Sequence, residues 1–118
     1  MQQLQLPPLA EGEIYLGGFV DANGDVTHTI LLPGDSQPAT WKQQLKWAKS
    51  LGGDLPTRVE LAVAHAKHRD RFERRAYWSN ESEGAGWAWS QGFSYGGQNY
   101  YHQRDEFRAR AVRRLVIQ

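Results

Sequence analysis

The chain of 118 residues contains no cysteine, which excludes disulfides, thiolate nucleophiles and cysteine-based metal centres. It lacks any run of about 18 consecutive apolar residues, which excludes a membrane-spanning helix and gives no reason to expect a membrane partner. The first residues, MQQLQLPPLAEGE, carry neither a basic leader nor a long apolar stretch, so no secretory signal is expected. These absences predict a cytoplasmic protein, with a virion as the alternative location. Catalytic signatures are missing too. There is no Gly-x-Ser-x-Gly elbow, no phosphate-binding glycine loop and no HExxH helix.

Charge of one sign is also missing, the net being +1. Its distribution is uneven. Before Thr57 three Lys/Arg stand against six Asp/Glu, and from Thr57 onward eleven stand against seven. A mildly basic C-terminal half favours an acidic partner, with a solvated Arg-rich sheet face as the competing account. No Lys/Arg run approaches a nucleic-acid tract, so nucleic acid is not an expected partner.

What is present fits one domain over residues 1–118, with 40% hydrophobic residues and 12 glycines in a turn-rich chain. Pro7-Pro8 marks residues 1–11 as an extended arm. Residues 13–20 and 26–32 read as strands around Asn23-Gly24, a strong hairpin signal, and make His28 a strand residue at a boundary rather than a catalyst. Residues 33–38 read as a loop. Thr40 with Gln43 forms a capping box, followed by a stripe of Trp41, Leu45, Ala48 and Leu51 opposite Lys42, Lys46 and Lys49. Gly52-Gly53 ends that helix. Thr57 with Glu60 forms a second capping box and predicts a helix over 58–68, with Leu61 and Ala64 or His65 inward and Glu60 and Lys67 outward. His65 and His68 have metal-ligand spacing, but no third ligand stands at a readable distance, so no metal is expected. Phe72 is the expected buried anchor of the connector 69–75.

Residues 76–115 hold three of the five Trp and seven Trp or Tyr in all. Strands are expected at 77–79, 87–93, 99–102 and 107–117, with a polar loop at 80–86 and turns at Gly96-Gly97 and 103–106. Trp87, Trp89 and Gln91 alternate against Ala88 and Ser90. In the last strand Phe107 and Ala109 alternate with Arg108 and Arg110. That alternation breaks at Ala111-Val112, which predicts a bulge or register change. The fold class is therefore α+β: an N-terminal hairpin, two helices, then a twisted antiparallel sheet.

Trp41 with its helix, Asp54-Leu55-Pro56-Thr57-Arg58-Val59-Glu60-Leu61, Tyr77-Trp78-Ser79, Ala88-Trp89 and Arg110-Ala111-Val112-Arg113 occur in the order that resembles the family of the C-terminal domain of the collagen-like adhesin Lcl. The resemblance spans about residues 39–115 and implies a C-type-lectin-like fold with Trp78 and Trp89, which match the family motif, in the core. Lectins of that fold that bind sugar through calcium carry Glu-Pro-Asn or Gln-Pro-Asp and Trp-Asn-Asp. This chain has Gln37-Pro38-Ala39 in another region and no Trp-Asn-Asp, which implies calcium-independent behaviour. The oxidase chemistry of the related formylglycine-generating enzymes needs cysteines that are absent here. Short free-standing relatives are often carried by phages and prophages, which makes a phage protein the implied origin.

The expected function is that of a non-catalytic binding module presenting Trp87, Tyr95, Gln98, Asn99, Tyr100, Tyr101 and His102 to a protein or glycan. Tyr and Trp supply large rigid contacts with polar tips, and the amides supply hydrogen bonds. Packing of the same aromatics into a Gly-rich sheet is the competing account. Tyr100 and Tyr101 must face opposite ways on one strand, and the polar turn that follows points to Tyr101 as the exposed one. An intracellular phage-encoded inhibitor using the same surface is the alternative function. A hydrolase is the third, and needs Glu81 or Glu83 to be buried. No cofactor is implied.

Overall fold

The computed structural model describes residues 5–117, so the first four residues of the predicted arm lie outside the described residues. The hairpin forms as its turn chemistry dictates. Strand β1 (Ile14–Val20) and strand β2 (Val26–Leu31) pair antiparallel, and between them the Asp21 carboxylate accepts from the N–H groups of Asn23 at 2.9 Å and Asp25 at 3.0 Å. Gly24 takes the left-handed conformation that the turn needs, at φ +84°. Residues 5–10 have no regular structure. The Pro8 carbonyl accepts from Arg113 at 3.2 Å, and Glu13 receives the same guanidinium at 2.9 and 3.0 Å.

Both helices begin where their capping boxes place them. Helix α1 (Trp41–Ser50) is capped by Thr40 and Gln43, and helix α2 (Arg58–His68) by Thr57 and Glu60. Thr57→Ala removes the acceptor for the Glu60 N–H, and is expected to lower unfolding free energy by about 1 kcal/mol in urea denaturation. On α1 the predicted stripe is only partly inward. Ala48 is buried, Trp41 and Leu45 are half-buried, and Leu51 at the C-cap is exposed. The fully buried position is Gln44, whose amide receives Ser36 at 2.8 Å and donates to the carbonyls of Gln37 at 2.8 Å and Phe107 at 2.9 Å. A polar side chain holds that place because every one of these groups finds a partner.

Two sheets surround the helices. The remaining strands are β3 (Ser36–Ala39), β4 (Ala76–Ser82), β5 (Trp87–Gly92), β6 (Gln98–His102), β7 (Phe107–Ala109) and β8 (Val112–Val116). One sheet has the order β1-β2-β8 and the other β3-β7-β4-β5-β6. The second is mixed, since β4 and β7 run parallel. Three expectations need correction. A short strand, β3, lies in the predicted loop, and β4 runs through Asn80, Glu81 and Ser82. The single last strand is in fact two, in different sheets. Ala109, Arg110, Ala111 and Val112 are consecutively buried, because the chain is packed on both sides as it crosses from β7 to β8. The broken alternation at Ala111-Val112 marks that crossing. Arg110 is drawn inside with it, donating to the carbonyls of Arg71 at 2.7 Å and Leu32 at 2.8 Å.

The core has two lobes with β4 between them. Tyr77 and Trp78 are both fully buried and face opposite sides, as successive strand residues must. Tyr77 joins Leu31, Leu61, Phe72 and Phe93 on the α2 side, and Trp78 joins Ala48, Leu55, Ala88 and Ala109 on the α1 side. Glu60 is a further correction. It is 2% exposed rather than outward, at the centre of a polar network that joins α2 to the hairpin sheet.

Candidate binding surface

The β5–β6 hairpin positions most of the residues singled out above. Its register pairs Trp87 with His102, Ala88 with Tyr101, Trp89 with Tyr100, Ser90 with Asn99 and Gln91 with Gln98. Directly paired residues share a face. Trp87, Trp89, Gln91, Gln98, Tyr100 and His102 therefore lie on the side of α2, and Ala88, Ser90, Asn99 and Tyr101 on the side of α1. The β4–β5 pairing decides which of these faces is packed. Ser90 lies opposite Trp78, so the small side chains Ala88 and Ser90 turn inward to leave room for the Trp78 ring, and the large ones turn outward. Trp89, assigned to the core from the sequence, is half-buried in an outward row.

In that row Tyr100 stands edge-on to Trp89 at 5.0 Å and to Trp87 at 5.9 Å between ring centres, and Trp87 lies against His102 at 4.0 Å. Arg58, the first residue of α2, stacks its guanidinium 3.5 Å from the centre of the Trp89 ring. Glu83 accepts the Trp89 indole N–H at 2.8 Å. The result is a shelf of three aromatic rings and an imidazole, held from beneath by one cation and flanked by one carboxylate.

The seven predicted residues do not form one surface. Trp87, Tyr100 and His102 come together. Gln98 shares their face but is committed to the scaffold, receiving Arg58 Nε at 3.1 Å and donating to Arg58 O at 2.7 Å and Gln91 Oε1 at 2.8 Å. Asn99 and Tyr101 lie on the opposite face. Tyr101 is edge-on to Phe107 at 5.0 Å, and is 38% exposed against 50% for Tyr100. Tyr101 is exposed as expected, but Tyr100 is exposed too and more so, because the polar turn after His102 says nothing about which face Phe107 occupies. Tyr95 stands in the hairpin turn, 99% exposed. Arg58 and Glu83 were missed. The capping box fixes Arg58 at the head of α2, but only the tertiary contact brings it over Trp89.

Beside the shelf a cleft of about 460 Å³ is lined by Thr40, Lys42, Gly86, His102, Gln103 and Arg104. It carries two permanent cations and no carboxylate. Glu81 accepts the Arg58 N–H at 2.7 Å, compensating the positive end of α2, and borders an open hollow with Val59, Ala62 and Gln98. Glu81 on β4 and Glu83 in the loop after it thus serve separate donors. Among the described residues no three His, Asp or Glu gather as metal ligands, and His65 packs on Phe93 with 5.5 Å between ring centres. No protein-family model matches the chain, and no curated protein matches it.

Proposed function

We propose that this chain is a non-catalytic binding module of C-type-lectin-like design, related to the Lcl C-terminal domain family, and that its β5–β6 hairpin presents Trp87, Tyr100 and His102 to a protein partner. The observation that carries this reading is the placement of the exposed aromatics. Among the described residues every exposed aromatic side chain, Trp87, Tyr95, Tyr100 and Tyr101, lies on the one hairpin, whereas the remaining rings are buried or half-buried. A fold with two packed lobes could have hidden them, and isolated exposure would need no explanation. The lectin-like reading is supported by the N-terminal hairpin closing on the last strand, with two helices and a second sheet between.

A protein is favoured over a glycan because Trp, Tyr and Arg are the residues that dominate protein interfaces. The cleft with Lys42 and Arg104 suits an acidic side chain of that partner. A hydrolase is disfavoured because Glu81 and Glu83 each accept a structural hydrogen bond.

Capture from host-cell lysate, followed by affinity measurement with the purified binder, tests the reading. Tyr100→Ala is expected to weaken binding by ~2 kcal/mol, about 30-fold, with an unchanged melting temperature. Raised salt should slow association through Lys42 and Arg104. Specific retention on a glycan array would replace the protein partner with a sugar. Unchanged affinity in both Tyr100→Ala and Trp87→Ala removes the shelf from the function.

A further inference from the structure

The two sheets leave four edges, and three are protected against pairing with another chain. Edge strand β3 contains Pro38, which has no N–H to donate. Edge strand β1 is bulged between Tyr15 and Gly17. Edge strand β8 carries Arg113 and Arg114, and Asp54 already exchanges both backbone hydrogen bonds with Val112, at 2.9 and 2.8 Å.

Strand β6, Gln98-Asn99-Tyr100-Tyr101-His102, has none of these devices. It has no Lys, Arg, Asp or Glu and no proline, and pairs with β5 without a register shift. Asn99, Tyr100 and Tyr101 are exposed in succession. The direction of its backbone groups follows from its bonds to β5. Gly97 O accepts from Gly92 at 2.8 Å, Asn99 O from Ser90 Oγ at 3.2 Å, and Gln103 donates to Gly86 O at 2.8 Å. The odd-numbered residues therefore turn their N–H and C=O groups toward β5. Gln98 and Tyr100 turn theirs to the open edge, as does His102, whose carbonyl already accepts from Asp105 at 2.9 Å.

We propose that β6 pairs antiparallel with β6 of a second copy about a two-fold axis at Tyr100, making a continuous sheet across a homodimer. The edge is self-complementary in the way a two-fold interface requires. Centred on Tyr100, the pairing sets Tyr100 against its own counterpart, exchanging both N–H···O bonds of an antiparallel ladder, and sets Gln98 against the partner subunit's His102, where the His102 N–H donates to the Gln98 carbonyl and the His102 carbonyl keeps its own turn bond from Asp105. On one face the two Tyr100 rings meet, and on the other each Asn99 meets the partner subunit's Tyr101, so aromatic and amide groups oppose one another. No like charges face each other anywhere along the strand. A second copy meets these conditions by symmetry, whereas a partner of different sequence would have to match them by chance. The consequence for function is bivalency, because the two aromatic shelves continue one another across the axis and a multivalent target gains avidity. The dimer does not depend on the ligand assigned to the shelf.

Sedimentation velocity from about 1 µM to 500 µM decides it, a range that spans the affinities of modest interfaces. The wild type is expected to shift from monomer to dimer within that range. Tyr100→Pro removes the outward N–H at a position where an edge strand tolerates proline, and is expected to remain monomeric throughout with its far-ultraviolet circular dichroism retained. Tyr100→Lys keeps the backbone donor but sets two ammonium groups opposite each other, and is expected to weaken the dimer at least tenfold in low salt. It decides in place of Tyr100→Pro should that variant fail to fold. A wild type that stays monomeric to 500 µM overturns the proposal, as does a dimer that persists undiminished in the folded variants. A wild-type monomer that still binds its target leaves the binding reading standing.

Discussion

Arg114→Ala is expected to lower the free energy of unfolding by about 3 to 5 kcal/mol, the cost of leaving a buried charge without its partner. Glu60 is the charge in question, with its side chain only 3% exposed. Arg114 meets it with two bonds, Nη2 to Oε1 at 2.7 Å and Nε to Oε2 at 2.9 Å, and its third nitrogen donates to Asp54 at 2.8 Å. Thr29 Oγ1 at 2.6 Å and Thr57 N at 2.8 Å complete the shell around the carboxylate. Removing the guanidinium takes away the only counter-charge on Glu60 among the described residues and leaves two neutral donors. The double variant Glu60→Gln, Arg114→Met removes both charges, and is expected to recover most of the loss. Equilibrium urea denaturation of the three proteins measures both effects. Full cost in the double variant, where Met keeps most of the aliphatic stem, would show that the Arg114 bonds to Asp54 and the Leu55 carbonyl, rather than the charge on Glu60, are responsible.

The same pair sets a pH dependence whose sign can be worked out. Burial alone raises the Glu60 pKa, but the Arg114 guanidinium and the Thr29 hydroxyl outweigh it and hold the carboxyl below its ordinary range. The folded wild type therefore binds this proton less readily than the unfolded chain. Its stabilisation is present above the ordinary carboxylate range and is lost as pH falls through the depressed value. In Arg114→Ala burial is opposed only by the Thr29 and Thr57 hydrogen bonds, the folded carboxyl binds its proton more readily than in the wild type, and the stabilisation that the ion pair gives above the carboxylate range is lost. The gap between the two proteins should be widest near neutrality and narrow in acid.

Local chemistry was legible in the sequence, and partnership across the chain was not. Both helix starts were readable because a capping box is written within four residues, as at Thr57 and Glu60. The same Glu60 was placed outward because its long-range partners cannot be read from the helix. Thr29 lies 31 residues away and Arg114 lies 54 away. Ala111-Val112 gave a visible break in alternation, but alternation alone cannot tell a bulge within one sheet from a crossing between two. The binding surface shows the same division. Tyr100 and Tyr101 had to face apart, and the sequence could not assign their faces because that depends on Phe107, on a strand that joins the sheet three places away. Arg58 was invisible as a surface residue for a similar reason, since its neighbour Trp89 comes from the far side of a different element.

Trp78→Ala is expected to cost about 3 to 5 kcal/mol, toward the upper end of that range. The ring is fully buried, lies 4.8 Å from Phe107 between ring centres, and donates its indole N–H to Ala39 O at 3.1 Å. Much of its socket is alanine: Ala48 from α1, Ala88 from β5, and Ala109 and Ala111 around the β7–β8 crossing. Side chains this short cannot lean into the space that a missing indole leaves, so the cavity persists and its cost adds to the lost transfer energy. The Ala39 carbonyl also loses its donor. Trp89→Ala provides the contrast within the same sheet. That ring is half-buried, and its removal forfeits partial burial and the contact with Arg58, together worth about 1 to 2 kcal/mol. Urea midpoints at constant m-value rank the two variants. A larger loss for Trp89→Ala than for Trp78→Ala would mean that β5 turns its tryptophans inward, and the outward shelf on which the binding surface is built would not exist.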